Sequence, residues 1–221
     1  MTELSGFIRR SIRKVLDLLL PRSRDVQFLE QAGSHRVMER LRPATDGLPG
    51  IISLFDYRDP LVKTLIWEIK FKANQELAKL AAALLYEHLL SELTEMKLFS
   101  GGRQVLIVPV PLAPGRLRER GFNQAERMAK EMEKLDGGRN FAVQNVAQRI
   151  KETTSQTKTQ SRRDRQENMR GAFRVINEKT VRGKNIVVLD DVATTGSTID
   201  ELARALKEAG ASSVTGFTFA H

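Results

Sequence analysis

Two adjacent carboxylates, Asp190 and Asp191, close the apolar run Ile186 to Leu189, and the loop Ala193-Thr194-Thr195-Gly196-Ser197-Thr198 follows them. Ionised carboxylates only accept hydrogen bonds, which suits the neighbouring hydroxyls of a ribose. The loop leads into a helical pattern that starts near Ser197. Free backbone N–H groups and the positive dipole end at such a start favour a phosphate. Hydroxyls from Thr194, Thr195, Ser197 and Thr198 add donors, and Gly196 permits a tight turn or close approach to a ligand. Strand, acid pair, small polar loop and helix together suit a sugar phosphate. The same residues also fit a buried strand with an acidic end. A receiver-like or metal-binding acidic pair is a third reading, but it needs further carboxylates or a lysine at other strand ends.

Two basic clusters add to this chemistry. Arg116, Arg118 and Arg120 crowd a predicted loop with one acid, Glu119, just after the strand at 104–110. Guanidinium groups there suit the oxygens of a pyrophosphate, and a solvated loop is the alternative. The stretch from Arg149 to Phe173 is polar and basic, as expected for an active-site cover. Its Arg162, Arg163 and Arg165 suit pyrophosphate or a nucleic-acid backbone, or form a solvated charged face. Phe122 reads as a core anchor or, with Trp67, as a surface on which bases stack.

The elements that must position these groups follow from periodicity. From Gln104 onward, strands alternate with helices: QVLIVPV, then a helix from Asn123 to Leu135, strands FAVQNVAQRI, GAFRVI and NIVVLDD, a helix from Ser197 to Ala209, and strand SVTGFTF. This pattern predicts an α/β fold with a mostly parallel sheet and helices on both faces. Ligands of such sheets sit beyond the carboxyl ends of the strands, where Asp190 falls. Upstream, IISLFDY reads as a strand, Asp59-Pro60 as a helix start, and LAKLAAALLYEHLL as a long helix. Residues 1–48 read as an accessory helical region, with a helix around Phe28 to Leu41, and residues 49–221 as the main domain.

At 221 residues, with 41% hydrophobic content, the chain can bury a full core. A formal net charge of +9 favours polyanionic partners or simply keeps the protein in solution. Without cysteine, no disulfide or thiolate-bound zinc forms, and the three histidines make no cluster for a metal. No apolar run is long enough to span a bilayer. Leu4, Phe7, Ile8, Ile12, Val15, Leu16 and Leu19 share one helical face, with Arg9, Arg10, Arg13 and Lys14 mostly opposite, which suits a helix docked on the protein or a partner, or one lying on an acidic membrane surface; Asp17 within the run argues against a signal peptide. The chain reads as cytoplasmic.

The segment NIVVLDDVATTGST resembles the phosphoribosyl-pyrophosphate signature of type I phosphoribosyltransferases. Four blocks in order extend the likeness: Pro109 to Ala125; Arg149, Thr153 and Gln156; Ser161, Arg165, Asn168 and Gly171 to Phe173; and Asn185 to Thr198. Together they resemble the ComF family of competence-associated proteins, with Lys70 at that family's lysine position. The resemblance implies a type I phosphoribosyltransferase fold and a link to incoming single-stranded DNA and the competence machinery. It implies that Asp190 and Asp191 hold the ribose hydroxyls and support C1 of the ribose in catalysis. Ala193 to Thr198 would cradle the 5-phosphate, and Arg116, Arg118, Arg120 and Lys70 would meet a magnesium-bound pyrophosphate. The family's usual N-terminal four-cysteine zinc ribbon cannot form here, so no zinc is expected. The rival readings are a ligand sensor without turnover and a single-stranded nucleic-acid binder.

Overall fold

The structure is a computed structural model and describes residues 23–95, 105–152 and 168–221. The first predicted helix, the central part of the basic cover and Arg162, Arg163 and Arg165 lie outside the described residues.

Strand β1 (Ile51–Phe55) is followed by helices α3 (Pro60–Lys72) and α4 (Gln75–Glu95), after α1 (Arg24–Gln31) and α2 (Ser34–Arg40). Then come β2 (Val105–Pro109), α5 (Pro114–Arg120), α6 (Gln124–Asp136), β3 (Phe141–Val143), β4 (Ala147–Arg149) and β5 (Phe173–Val175). The chain closes with α7 (Glu178–Val181), β6 (Asn185–Val192), α8 (Ser197–Glu208) and β7 (Ser213–Ala220). Five strands form one sheet in the order β1-β7-β6-β2-β3, and every pairing in it is parallel. The central strand is therefore β6, which carries the acid pair.

Both faces of this sheet are covered, as the near-continuous apolar strands predict. Successive side chains on a strand alternate faces. Accordingly Ile107, Val187, Leu189, Phe217 and Phe219 join one apolar cluster with residues of α1 to α4 and α6. Leu106, Val108, Ile186 and Val188 join another with Ile199, Leu202 and Leu206 of α8 and with Ala147 and Phe173 of the β4–β5 pair. Leu29, Val37 and Leu41 from the N-terminal helices bury in the first cluster, alongside Leu65 and Leu77.

Three expectations change. The predicted helix over 28–41 is two helices, because Ala32 and Gly33 are extended (ψ 138° and 160°). FAVQNVAQRI does not run as one strand: Phe141 to Val143 pair with β2, whereas Ala147 to Arg149 turn away and pair antiparallel with β5. The three-arginine segment is a helix, not a loop. Pro114 sits at its first turn and Gly121 ends it in the left-handed region (φ 79°), so residues read as breakers act as its two stops.

Helix α3 sets the geometry of the rim. Its cap Asp59 accepts the Leu61 N–H at 2.7 Å just beyond β1, the edge strand. Its far end brings Lys70 to Asp191 on the central strand. The helix therefore crosses the carboxyl end of the sheet from edge to middle.

Candidate functional site

Asp190 and Asp191 both belong to β6, with Asp190 in register with Thr218 of β7. Their side chains consequently leave opposite faces of the sheet. Asp191 is buried on the α3 side, where its Oδ2 lies 2.7 Å from Lys70 Nζ, a close ionic contact off the hydrogen-bond axis. Its Oδ1 accepts the Val192 N–H at 2.9 Å. Asp190 is partly exposed on the side of α8 and the β4–β5 pair, and its Oδ1 accepts the Asp191 N–H at 2.8 Å. Desolvation of its carboxyl, and then the charge of neighbouring Asp191, hold Asp190 well above the usual carboxylate range despite the opposing charge of Lys70.

The loop after β6 is built for a close-packed turn. Ala193 N–H donates to Ala220 O at 3.0 Å, and Ala193 O accepts from His221 Nδ1 at 3.0 Å. Gly196 has φ 79°, a conformation that favours glycine, and a Cβ there would fall 2.9 Å from Ile51 Cδ1, which would have to shift slightly. The start of α8 has no side-chain cap, and Thr195 Oγ1 and Ser197 Oγ are 2.8 Å apart. Its first N–H groups thus have no capping side chain, the arrangement in which helix starts take phosphate. Thr194 is exposed, Thr195 and Thr198 are half-buried, and Ser197 is buried.

The helical conformation of α5 separates the three arginines. Arg116 and Arg120 are four residues apart and share a face, while Arg118 is turned away. Arg120 Nη1 donates to Gln124 Oε1 at 3.1 Å, and its guanidinium stands over the Phe71 ring at 5.4 Å. Arg116 is exposed and near enough to Arg149 for the two charges to repel.

Arg149 had no assigned role in the sequence reading beyond its place in a family block. It is buried on β4, with Nη2 3.6 Å from Met169 Sδ and its guanidinium 5.8 Å from the Phe173 ring centre. Burial foremost, and Arg116 second, lower its affinity for a proton, while Asp190 acts in the opposite sense. The structure thus gathers Asp190, Arg116 and Arg149 on one side of the rim. The inward register of β4 is the signal that could have singled out Arg149. Glu152 was also missed: its Oε1 accepts the Gly115 N–H at 2.8 Å and ties the chain after β4 to α5.

Known proteins resemble this chain in sequence. Residues 70–220 match the phosphoribosyl transferase domain family. The DNA utilization protein YhgH of Salmonella typhimurium (strain LT2) is 36% identical over 166 residues, covering 74% of this chain and 68% of that protein. The chain belongs to the ComF/YhgH family of phosphoribosyltransferase-domain proteins. YhgH of Escherichia coli K12 is 34% identical over 167 residues, again 74% of this chain and 68% of the relative. Competence protein ComFC of Bacillus subtilis 168 is 30% identical over 167 residues, or 75% of this chain and 62% of the relative. The phosphoribosyl transferase domain match takes in β2 to β7, α5 and the loop after β6; β1 and most of α3 precede it. Among the described residues, no helix is long and apolar enough to cross a membrane, and no group of three or more His, Asp or Glu could hold a metal.

Proposed function

We propose that this protein binds phosphoribosyl pyrophosphate or a related phosphoribosyl ligand at the rim of its sheet and transfers the phosphoribosyl group, in a role connected with DNA uptake and competence. The observation that carries the reading is the start of α8: a glycine-shaped turn with no capping side chain, preceded on β6 by Asp190 and Asp191. The relatives named for DNA utilization and competence support the biological setting.

In this reading the amides and hydroxyls of Ala193 to Thr198 hold the 5-phosphate. Asp190, once ionised, accepts from a ribose hydroxyl and steadies positive charge at C1 as the bond to pyrophosphate lengthens. Arg116, helped by Arg149, offsets charge gathering on the departing pyrophosphate, with Arg120 and Arg118 farther round α5. Lys70 orients Asp191, an addition to the anion-binding role expected of it. The donor set fits magnesium carried mainly by ligand oxygens and water, with Asp190 as its accessible carboxylate; such an ion neutralises pyrophosphate charge.

Calorimetry and thermal denaturation with phosphoribosyl pyrophosphate, with and without magnesium, test binding. A ligand at a hundred times its Kd should raise the melting temperature by about 5–10 °C. Pyrophosphate release, lost in Asp190→Asn, would establish turnover; stabilisation without release would leave a ligand sensor. A flat response to every phosphoribosyl compound would remove the reading.

A further inference from the structure

Next to the loop after β6 lies a cavity of about 330 Å³, lined by Asp46, Asp56, Tyr57, Arg58, Thr194 and His221 among others. It takes in Ala193 and Thr194 but none of Thr195 to Thr198, so it stands beside the start of α8 and not over it. Phe55 of β1 and Ala220 of β7 are in register, and Tyr57 N–H donates to His221 O at 2.8 Å. The cavity therefore lies just past the carboxyl ends of these two strands. The sheet order β1-β7-β6-β2-β3 then sets out the rim: the cavity at β1 and β7, the acid pair on β6, and Arg116 after β2. A nucleophile that displaces a leaving group in line enters from the opposite face of the sugar. With pyrophosphate on the arginine side, that entry side is the cavity.

The charge of the lining contrasts with the arginine side. Asp56 accepts from Arg58 Nε at 2.9 Å and Arg58 N–H at 2.8 Å, and Arg42 Nη1 stands at 3.5 Å. Arg58 Nη2 also reaches Asp46 Oδ2 at 3.5 Å. Arg58 is thus matched by two carboxylates, and a second polyanion gains nothing there. Tyr57 offers an aromatic body and a hydroxyl, and the exposed Thr194 a second hydroxyl. His221 Nδ1 is 3.0 Å from Ala193 O. A carbonyl oxygen only accepts, so Nδ1 carries the proton, and in the neutral ring Nε2 keeps a bare lone pair. The volume is near the lower limit of small-molecule sites, about 300 Å³, which suits a compound of one or two rings.

We propose that this cavity is the acceptor site, that the acceptor is a neutral, planar nitrogen heterocycle with a ring N–H, and that His221 Nε2 takes the proton from that nitrogen. The proposal rests on the phosphoribosyl reading above. As the proton passes to Nε2, the electron pair that held it forms the N–C1 bond. The C1–O bond to pyrophosphate breaks, and its pair leaves on the pyrophosphate oxygen. The products are an N-glycoside, pyrophosphate and an imidazolium that returns its proton to water.

Full-length protein is tested with adenine, hypoxanthine and uracil, and with orotate as an anionic ring. The chain has three histidines, so long-range proton–nitrogen NMR resolves each ring, and His221→Asn assigns the signals of His221. Heterocycles are titrated with ribose 5-phosphate present, which has no leaving group, and pyrophosphate release is measured separately with phosphoribosyl pyrophosphate and magnesium. At least one neutral heterocycle should shift the His221 signals, leave those of His35 and His88 in place, and speed pyrophosphate release; orotate should do neither. Asparagine at 221 keeps an N–H for Ala193 O but has no nitrogen to take a proton. His221→Asn should therefore lower kcat by about 10²- to 10⁴-fold and leave calorimetric affinity for phosphoribosyl pyrophosphate unchanged. Tyr57→Leu should weaken the acceptor by about 2- to 12-fold. The proposal fails if no heterocycle moves the His221 signals, if orotate alone is active, or if His221→Asn keeps its kcat. It also fails if that variant loses affinity for phosphoribosyl pyrophosphate in step with turnover, which marks His221 as a support of the loop only. Should the variant not fold, the titration of the native chain still decides. A flat calorimetric response to phosphoribosyl pyrophosphate with His221 still moved by a heterocycle removes the phosphoribosyl reading instead; the reverse pattern removes only the acceptor site.

Discussion

Replacing Lys70 by methionine tests whether α3 is tied to the rim by its pairing with Asp191. The ammonium and carboxylate are 2.7 Å apart, and their side chains are 19% and 5% exposed. Removing one partner from a buried pair costs about 3–5 kcal/mol, because the remaining charge is left without compensation. The partial exposure of Lys70 allows water some access, so the lower end applies: about 3 kcal/mol, or a melting temperature lower by roughly 6–12 °C. Asp191→Asn leaves the more exposed partner, whose ammonium can turn toward water, and should cost less, about 1–2 kcal/mol. The double variant leaves no buried charge, so it should be more stable than the sum of the single changes predicts by at least about 1 kcal/mol. Urea denaturation of the four proteins measures this cycle. Additivity within about 0.5 kcal/mol would refute the argument, showing that the contact contributes nothing specific to the fold.

The raised pKa of Asp190 carries a defined sign. The stability of the folded state with this group protonated is fully present below 3.8 and is lost as pH rises through the elevated folded value. Asp190→Asn should therefore gain stability relative to the native chain with rising pH, as followed by urea midpoints from acid to neutral pH. Gly196→Ala forces a side chain into a left-handed turn beside the tip of Ile51; it should cost about 1–2 kcal/mol, measured by thermal denaturation. Arg149→Met removes a buried guanidinium from the ligand side of the rim and should weaken phosphoribosyl pyrophosphate binding at least about tenfold by calorimetry, while Arg118→Gln, on the far side of α5, should change it by less than about threefold.

The central motif was legible because its signals are local. Four apolar residues, two acids, a glycine and a helical period fix the order strand, turn, helix without reference to the rest of the chain. The core faces of the parallel sheet were equally readable from their apolar runs. What escaped was decided by distant pairing. Nothing in FAVQNVAQRI says that its first part joins β2 while its second joins a strand from 173 onward. The arginine segment was misread because proline and glycine break structure in general but serve as end positions for a short helix here. Once that segment is helical, its three charges separate in direction, which residue spacing in a loop cannot express. Lys70 and Asp191 lie far apart in sequence; a lysine suited to pyrophosphate gave no sign that it meets a carboxylate.

The acid pair itself shows how strand geometry divides two chemically identical residues. Both belong to extended backbone, so their side chains leave opposite faces, yet the Asp191 carboxylate and Lys70 still act on Asp190. Asp191 has one oxygen against Lys70 and the other on a backbone N–H, leaving little capacity for a ligand without rearrangement. Asp190 is partly exposed as a residue, and its desolvated carboxyl lies on the side of Arg116 and Arg149. Its ionisation is held back until something offsets the desolvation, which hydroxyl donors and a ligand-bound cation can do. Where Asp190 is still protonated, a phosphoribosyl ligand should draw a proton off it as it binds, and affinity should rise with pH through the range in which Asp190 titrates. Calorimetry in buffers of different ionisation enthalpy reads that proton directly. In Asp191→Asn the release should shrink, because a charge that helps keep Asp190 protonated is gone; in Asp190→Asn it should vanish. Loss of the released proton in Asp191→Asn, with Asp190→Asn unaffected, would reverse the assignment of the two carboxylates.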